Sequence, residues 1–153
     1  MKIFQKFIDI LFFLLFFLIP IILWPFSYEL FEFNKIIVVY ILTLLITFSW
    51  AAKSIINRKL IFRRTILDIP LIIFLLVQLL SSLVSIDTRT SIFGYYSRFN
   101  GGMLSLISFS LLYWAYVSNI DSKKVINSIK TLIFSSLLVS LYGILEHFGI
   151  DKE

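Results

Sequence analysis

Charged residues divide the sequence into five long uncharged stretches that are rich in Leu, Ile and Phe. The stretches are residues 10–28, 36–52, 69–86, 99–120 and 131–145. Because the hydrocarbon core of a bilayer requires about 20 mostly apolar residues per crossing helix, each stretch is a candidate transmembrane helix. With their flanking residues, the predicted spans are about 8–26, 35–52, 68–86, 101–119 and 128–147. The predicted fold class is therefore an all-α, polytopic membrane helical bundle.

The composition leaves no room for a separate soluble domain. Hydrophobic residues make up 59% of the 153 positions and charged residues 15%, with a mean hydropathy of +0.97. A soluble domain of this size could not hide so much apolar surface from water. We interpret residues 1–153 as one membrane domain, expected to be the N-terminal part of a longer protein. Because the chain has no cysteine and one histidine, neither a metal site nor a cofactor is predicted.

Lysine and arginine alternate between the two sides of the predicted helices. With the N-terminus in the cytoplasm, ten of the fourteen cations and three of the nine acids fall on the cytoplasmic side. That side then carries a net charge of +7 and the outer side −2, which together give the +5 of the chain. The positive-inside rule therefore predicts a cytoplasmic-membrane protein with an internal N-terminus and an external C-terminus. Since the cations lie between apolar runs, they are interpreted as topology signals, and no nucleic-acid partner is expected.

Small and polar side chains within the predicted helices suit close helix contacts. Gln78, Ser81 and Ser82 lie in the third predicted helix, and Ser136 and Ser140 lie in the fifth. We interpret them as packing groups, because small residues commonly mediate helix association in membranes. A transporter would be expected to place charged groups near the bilayer centre, and the middles of these helices contain little beyond Gln78 and serines.

The second predicted outer loop, the segment Ser85–Gly102, differs from the other connections. It reads S-I-D-T-R-T-S-I-F-G-Y-Y-S-R-F-N-G-G and places Arg89 and Arg98 on the side where cations are disfavoured. A guanidinium can bind phosphate or carboxylate with two hydrogen bonds, and Tyr95 and Tyr96 offer flat faces and hydroxyls that suit sugar rings. The candidate substrate-binding residues, for the phosphate or sugar of a glycolipid, are therefore Arg98, Arg89, Tyr95 and Tyr96.

Three glycines in this segment, Gly94, Gly101 and Gly102, permit tight or left-handed turns and close approach of the backbone to a ligand. An alternative interpretation assigns the segment no ligand. In that interpretation Arg98 pairs with Asp87 or with lipid phosphates, and the aromatic residues form an interfacial belt. Both interpretations stay open at the level of sequence.

The motifs of this segment resemble those of a known family. The motif S-x-D is followed by S-I-F-G, by Arg98 three residues after Tyr95, and by the Gly101–Gly102 pair. Two further stretches fit the same pattern, Y-E-L-F-E-F-N-K at residues 28–35 and Y-G-I-L-E-H-F-G-I at residues 142–150. In this order the motifs are similar to the N-terminal part of the O-antigen ligase and polymerase family of bacterial membrane glycosyltransferases.

This resemblance implies metal-independent transfer of a glycan from an undecaprenyl diphosphate carrier to an acceptor at the outer face of the cytoplasmic membrane. Arginines would stabilise the charge that develops on the leaving diphosphate. Members of the family are longer and have a large outer loop with key arginine and histidine residues, and this chain stops before that loop. The resemblance therefore leaves open whether this chain is itself an enzyme, and it assigns no catalytic residue.

The expected partners are membrane lipids and the undecaprenyl-diphosphate-linked glycan. Two other classes of function remain as alternatives. One is a fragment of a flippase or transporter for the same lipid carriers, and the other is a noncatalytic membrane subunit that packs against partner helices. His147 is interpreted as structural, because the important histidine of the family belongs to the later loop and does not correspond to this position.

Overall fold

The computed structural model describes residues 2–22 and 32–149, and the regular secondary structure in these ranges is helical. The helices are α1 (Lys2–Ile21), α2 (Glu32–Ile56), α3 (Asp68–Leu83), α4 (Thr88–Phe93), α5 (Met103–Asn119) and α6 (Ser122–His147). Residues 23–26 of the first predicted span, residues 28–31 of the first predicted outer loop and Ile150 lie outside the described residues. Residues 32–35 of that predicted loop belong to α2.

Three of the described helices have the length and composition of membrane spans. These are α1 from Ile3 to Ile21, α2 and α6, with 19, 25 and 26 residues. Helices α3 and α5 have 16 and 17 residues. At a rise of about 1.5 Å per residue they are shorter than the hydrocarbon core, which is about 30 Å thick. The all-α prediction is thus confirmed for the described residues, whereas the third and fourth predicted spans are shorter helices than expected.

Several predicted helix boundaries differ from the structure. The fifth helix was expected over 128–147 but begins at Ser122, because Lys123 and Lys124 are good helix formers that continue the helix. The third was expected over 68–86 but ends at Leu83. The short helix α4, which the charge pattern did not predict, follows it after four residues.

The hydrophobic core lies between α1, α2 and α5. Each of these helices buries apolar residues mainly three or four positions apart, so that one face of the helix is covered. The core residues on the three helices are Ile8, Leu11, Phe12, Leu15, Ile36, Val39, Leu42, Ile46, Leu112 and Ala115. Tyr116 of α5 makes edge-on ring contacts with Phe12 and Phe16 of α1. Helix α6 packs on the outside of α1, and α3 packs on α5.

Polar side chains from four helices meet at one end of the bundle, which we call the Lys53 end. The Lys53 ammonium donates hydrogen bonds to Gln5 Oε1 at 2.6 Å and to Asn119 Oδ1 at 2.8 Å. Gln5 Nε2 donates to Asp9 Oδ1 at 2.9 Å and to the Asn119 carbonyl at 3.0 Å. Lys124 Nζ lies 2.7 Å from Asp9 Oδ2. This network joins α1, α2, α5 and α6 at a single level of the bundle.

The same contacts fix the direction of each long helix. The Lys53 end contains the beginnings of α1 and α6 and the ends of α2 and α5. Helix α3 also begins there, because Asp68 Oδ1 accepts a hydrogen bond from Trp114 Nε1 of α5 at 3.1 Å. Helix direction therefore alternates along the chain from α1 through α2, α3 and α5 to α6. The opposite end, which we call the Arg98 end, contains α4 and residues 94–102.

One serine of α6 sits where that helix approaches α1. Ser135 is fully buried, and its hydroxyl lies 3.2 Å from the Phe16 carbonyl and 3.0 Å from the Leu132 carbonyl. The predicted packing serines of this helix, Ser136 and Ser140, are instead exposed. The prediction that a small residue mediates the helix contact thus identified the correct helix and the wrong residues. Neighbouring positions point about 100° apart around a helix, so Ser136 faces away from α1 when Ser135 faces it.

We predict that Lys53→Met lowers the stability of the bundle. The substitution leaves Gln5 Oε1 and Asn119 Oδ1 without their donor, and losing charge-assisted hydrogen bonds costs about 1.5–3 kcal/mol. Thermal unfolding of the detergent-solubilised protein measures the effect. Lys59→Met, at an exposed loop position, is the matched control and should change stability by less than about 0.5 kcal/mol. Equal melting temperatures for the two variants would contradict a structural role for the network.

Candidate functional site

Helix α4 organises the first half of the segment at the Arg98 end. Its N-cap is Asp87, whose carboxylate accepts hydrogen bonds from Thr90 Oγ1 at 2.5 Å and from the Thr90 main-chain N–H at 3.2 Å. These two hydrogen bonds hold the pKa of Asp87 below its ordinary value, the side-chain bond having the larger effect. Asp87 therefore acts as a charged cap at neutral pH, in the preferred position for an acidic side chain at a helix start.

Glycines close the second half of the segment into a compact turn. Gly94 and Gly101 have φ angles of +86° and +83°, in the left-handed region that favours glycine. A Cβ atom on Gly94 would lie 2.1 Å from the Asn100 carbonyl oxygen, and one on Gly102 would lie 2.3 Å from Gly94 N. Two glycines therefore provide the required conformation, and Gly94 and Gly102 also allow the start and the end of the turn to touch.

A tyrosine from the core fastens this turn to the bundle. The Tyr40 hydroxyl of α2 donates to the Phe99 carbonyl at 2.7 Å and lies 3.1 Å from Ser105 Oγ of α5. Ser105 Oγ is in turn 3.1 Å from Gly101 N, which donates to it. The turn is thereby held against α2 and α5 by side chains that lie up to 65 residues apart in sequence.

Arg98 lies at the exposed tip of the turn and faces the beginning of α2. Its Nη1 is 3.5 Å from Glu32 Oε1, and the two side chains are 52% and 48% exposed. Asp87, the partner that the alternative interpretation gave to Arg98, caps α4 instead. An exposed ion pair of this length contributes roughly 0–1 kcal/mol. A phosphate group that approaches Arg98 could therefore replace the Glu32 carboxylate at little energetic cost.

The other three predicted site residues belong to the same segment but have different surroundings. The Arg89 guanidinium carbon lies 4.7 Å from the centre of the Tyr96 ring, in a cation–π contact. Tyr95 and Tyr96 are 71% and 74% exposed. The structure thus joins Arg89 with Tyr96 and Arg98 with Glu32. Arg89 covers one face of the Tyr96 ring, and both tyrosine side chains are otherwise largely exposed.

A cavity of about 320 Å³ lies beside the turn, between α1, α2 and α5. Its walls are apolar, formed by Leu15, Ile19, Ile36, Val39, Phe109 and Leu112, and its polar lining residues are Glu32, Lys35 and Asn100. Glu32 and Lys35 lie in the first turn of α2, so the polar groups are at the Arg98 end. A cavity with a charged rim and apolar walls can accept an amphiphile with its polar group outward.

Sequence reasoning selected Arg98 but missed Glu32, Lys35 and Asn100. One signal could have found Lys35, because it is one of only four cations on the predicted outer side. The pairing of Glu32 with Arg98 spans 66 residues and has no local sequence signature. Asn100 lies between two positions with positive φ angles, Phe99 and Gly101, and its main-chain role in the turn is likewise not readable from sequence.

None of the family models, curated proteins or solved structures compared with this chain matches it. The resemblance to O-antigen ligases therefore rests on the motifs given above. Within residues 2–22 and 32–149, no three His, Asp or Glu side chains come together in a group that could hold a metal ion.

We predict that Gly102→Ala disrupts the turn at the Arg98 end. The new Cβ would meet backbone atoms, Gly94 N at 2.3 Å and Ile92 O at 2.6 Å, which cannot rotate away. The φ of −90° at Gly102 suits alanine, so the variant tests close approach without added backbone strain. Overpacking of this kind costs about 1–3 kcal/mol, and thermal unfolding together with limited proteolysis of the turn measures it.

The control for this variant is Gly143→Ala in α6, where nothing lies within 4 Å of the new Cβ. Because alanine is the better helix former, this control should be neutral or more stable by up to about 1 kcal/mol. A Gly102→Ala protein with the stability and protease resistance of the Gly143→Ala protein would show that the close contact does not shape the turn.

Proposed function

We propose that this chain is a membrane protein related to the O-antigen ligases, and that its Arg98 end binds a lipid-linked glycan through the carrier diphosphate. The observation that carries the proposal is the position of Arg98. Arg98 forms an exposed ion pair with Glu32, and Glu32 and Lys35 line the rim of an apolar cavity. Arg98 and Lys35 can bind the phosphates of a lipid, and the apolar cavity can hold part of its hydrocarbon chain.

In this proposal the chain crosses the cytoplasmic membrane five times, with the Lys53 end in the cytoplasm and the Arg98 end outside. The alternating directions of α1, α2, α3, α5 and α6 support this topology. Helices α3 and α5 complete their crossings with flanking residues or with local thinning of the bilayer. A mismatch between helix length and bilayer thickness costs only a fraction of a kcal/mol per Å. The orientation follows from the positive-inside distribution of Lys and Arg.

The proposed roles follow the chemistry of each side chain. Arg98 and Lys35 bind the diphosphate, and their charge stabilises the negative charge that grows on it when the glycan is transferred. Tyr95 and Tyr96 contact the sugar with exposed ring faces and hydroxyls. Arg89 positions the Tyr96 ring through their cation–π contact. The base that activates the acceptor is not assigned to any described residue.

A second candidate function, a noncatalytic subunit that packs against partner helices, is favoured by α6. Among the described helices α6 packs against α1, and most of its 26 residues are exposed. A long apolar helix with one described neighbour could equally contact lipid or another membrane helix. This candidate does not explain the arrangement of Arg98, Glu32 and Lys35, and we therefore place it second.

We predict that Arg98→Ala weakens binding of undecaprenyl diphosphate by about tenfold or more, the size expected for one charge-assisted contact with a phosphate. Undecaprenol, which has the same chain and no phosphate, should bind much more weakly to the parent protein. Native mass spectrometry of the detergent-solubilised chain, titrated with each lipid, measures both effects.

Arg63→Ala is the matched control, because this arginine is exposed and lies in the loop between α2 and α3, at the Lys53 end. It should bind undecaprenyl diphosphate like the parent. Equal affinities for the Arg98→Ala and Arg63→Ala proteins would remove Arg98 from the site. A parent protein that binds neither lipid would contradict the glycolipid proposal as a whole and favour the helix-packing subunit.

A further inference from the structure

A second cavity lies at the other end of the bundle, in the groove between α1 and α6. These helices run in the same direction and pack against each other, and two of their contacts lie on either side of the groove. The lower contact is the ion pair of Asp9 with Lys124 at 2.7 Å. The upper contact is made by the Ser135 hydroxyl and the Phe16 carbonyl at 3.2 Å. Between these levels the groove encloses about 260 Å³.

The charged groups of this groove lie at the Lys53 end, and its aromatic groups lie further along α1. Asp9 and Lys124 form the charged part, beside the apolar Ile120, and the α6 side continues with the polar residues Asn127, Ser128 and Thr131. Phe12 and Phe13 follow one turn further along α1 and form apolar walls. From Lys124 to Thr131 the groove extends about 10 Å along α6, at 1.5 Å per residue. This order is that of an amphiphile whose polar group lies near the end of the bundle and whose chain points along it.

The hydrogen-bond partners within the groove favour an anionic ligand. Both oxygens of Asp9 are already used, Oδ1 by Gln5 and Oδ2 by Lys124. Lys124 has three N–H donors, and Asp9 is the described side chain that it contacts. The Asn127 side chain is exposed at the groove and offers two further N–H donors. Donors are therefore available in the groove, whereas its carboxylate is satisfied.

The charged residues near the groove also favour an anionic ligand, because cations outnumber acids there. In the hydrogen-bonded network at this end of the bundle, the two lysines Lys53 and Lys124 accompany one acid, Asp9. Three more lysines on the two helices that form the groove, Lys6, Lys123 and Lys130, are exposed. Two further acids lie at this end of the bundle, Asp121 at the N-cap of α6 and Asp68 at the start of α3. The excess of positive charge attracts anions and repels cations.

We propose that this groove binds one anionic phospholipid from the leaflet that surrounds the Lys53 end. The lipid phosphate accepts hydrogen bonds from Lys124 Nζ and the Asn127 amide, and the first part of an acyl chain lies against Phe12 and Phe13. The groove is somewhat smaller than most ligand pockets, which hold about 300–1,000 Å³. It therefore holds the phosphate and the beginning of one chain, and the remainder of the lipid stays in the bilayer.

The bound lipid would fill the groove between α1 and α6. Helix α6 packs against α1, and the groove lies between the Asp9–Lys124 and Ser135–Phe16 contacts. A phospholipid that contacts both helices stabilises the folded protein by mass action, because the unfolded chain has no such groove. This site is independent of the Arg98 end, so it stands or falls separately from the proposed glycan binding.

The test uses the detergent-solubilised 153-residue chain and two probes with identical acyl chains, phosphatidylglycerol and phosphatidylcholine. Native mass spectrometry counts retained lipids, and thermal unfolding measures their stabilising effect. The parent should retain one phosphatidylglycerol with at least about tenfold preference over phosphatidylcholine, the ratio expected from one charge-assisted contact. Phosphatidylglycerol should also raise the melting temperature more than phosphatidylcholine does.

The decisive variant is Asn127→Leu, which removes two donors and fills the groove while the Asp9–Lys124 ion pair remains. Ser136→Leu places the same apolar side chain at an exposed position of α6 outside the groove. Asn127→Leu should lose the phosphatidylglycerol preference, and Ser136→Leu should keep it. Equal retention of the two lipids by the parent, or an unchanged preference in a folded Asn127→Leu protein, would overturn the proposal.

Discussion

A lysine ammonium within a helical bundle needs oxygen acceptors, because a hydrocarbon environment supplies none. Lys53 finds them in Gln5 of α1 and Asn119 of α5. Gln5 in turn donates hydrogen bonds to Asp9 and to the Asn119 carbonyl. Apolar packing alone would let the three helices slide, since hydrophobic contact has no fixed direction. The polar network sets their relative level.

That level determines what happens at the opposite end of the bundle. With α2 and α5 aligned by Lys53 and Asn119, Tyr40 of α2 comes within hydrogen-bond distance of the Phe99 carbonyl and of Ser105. Arg98 then lies beside Glu32 at the start of α2. The candidate glycolipid site is therefore positioned by core contacts, and its exposed side chains add little to stability themselves.

The sequence was sufficient for those parts of the fold that depend on local properties. Long apolar stretches identified α1, α2 and α6 as membrane-spanning candidates. The glycines of the turn were recognised as positions for left-handed backbone, which the φ angles of Gly94 and Gly101 bear out. Charges were a poorer guide to helix ends, because lysine is a good helix former and α6 continues through Lys123, Lys124 and Lys130.

What the sequence could not predict depends on contacts between distant residues. Asp87 was considered as a partner for Arg98, and the structure uses it to cap α4. Glu32, 66 residues from Arg98, takes that place. The serine that approaches α1 is Ser135 rather than Ser136 or Ser140, and only the rotation of α6 against α1 distinguishes them. Such choices are made by tertiary packing.

The proposed topology, with the Arg98 end outside the cytoplasmic membrane and the Lys53 end in the cytoplasm, is tested most directly by labelling from one side. Because the chain has no cysteine, Ser97→Cys and Lys59→Cys each introduce one exposed thiol, at the Arg98 end and in the loop after α2. A membrane-impermeant maleimide should label Ser97→Cys in intact spheroplasts and Lys59→Cys only after lysis. Labelling of both positions in intact spheroplasts, or of Lys59→Cys alone, would contradict this account.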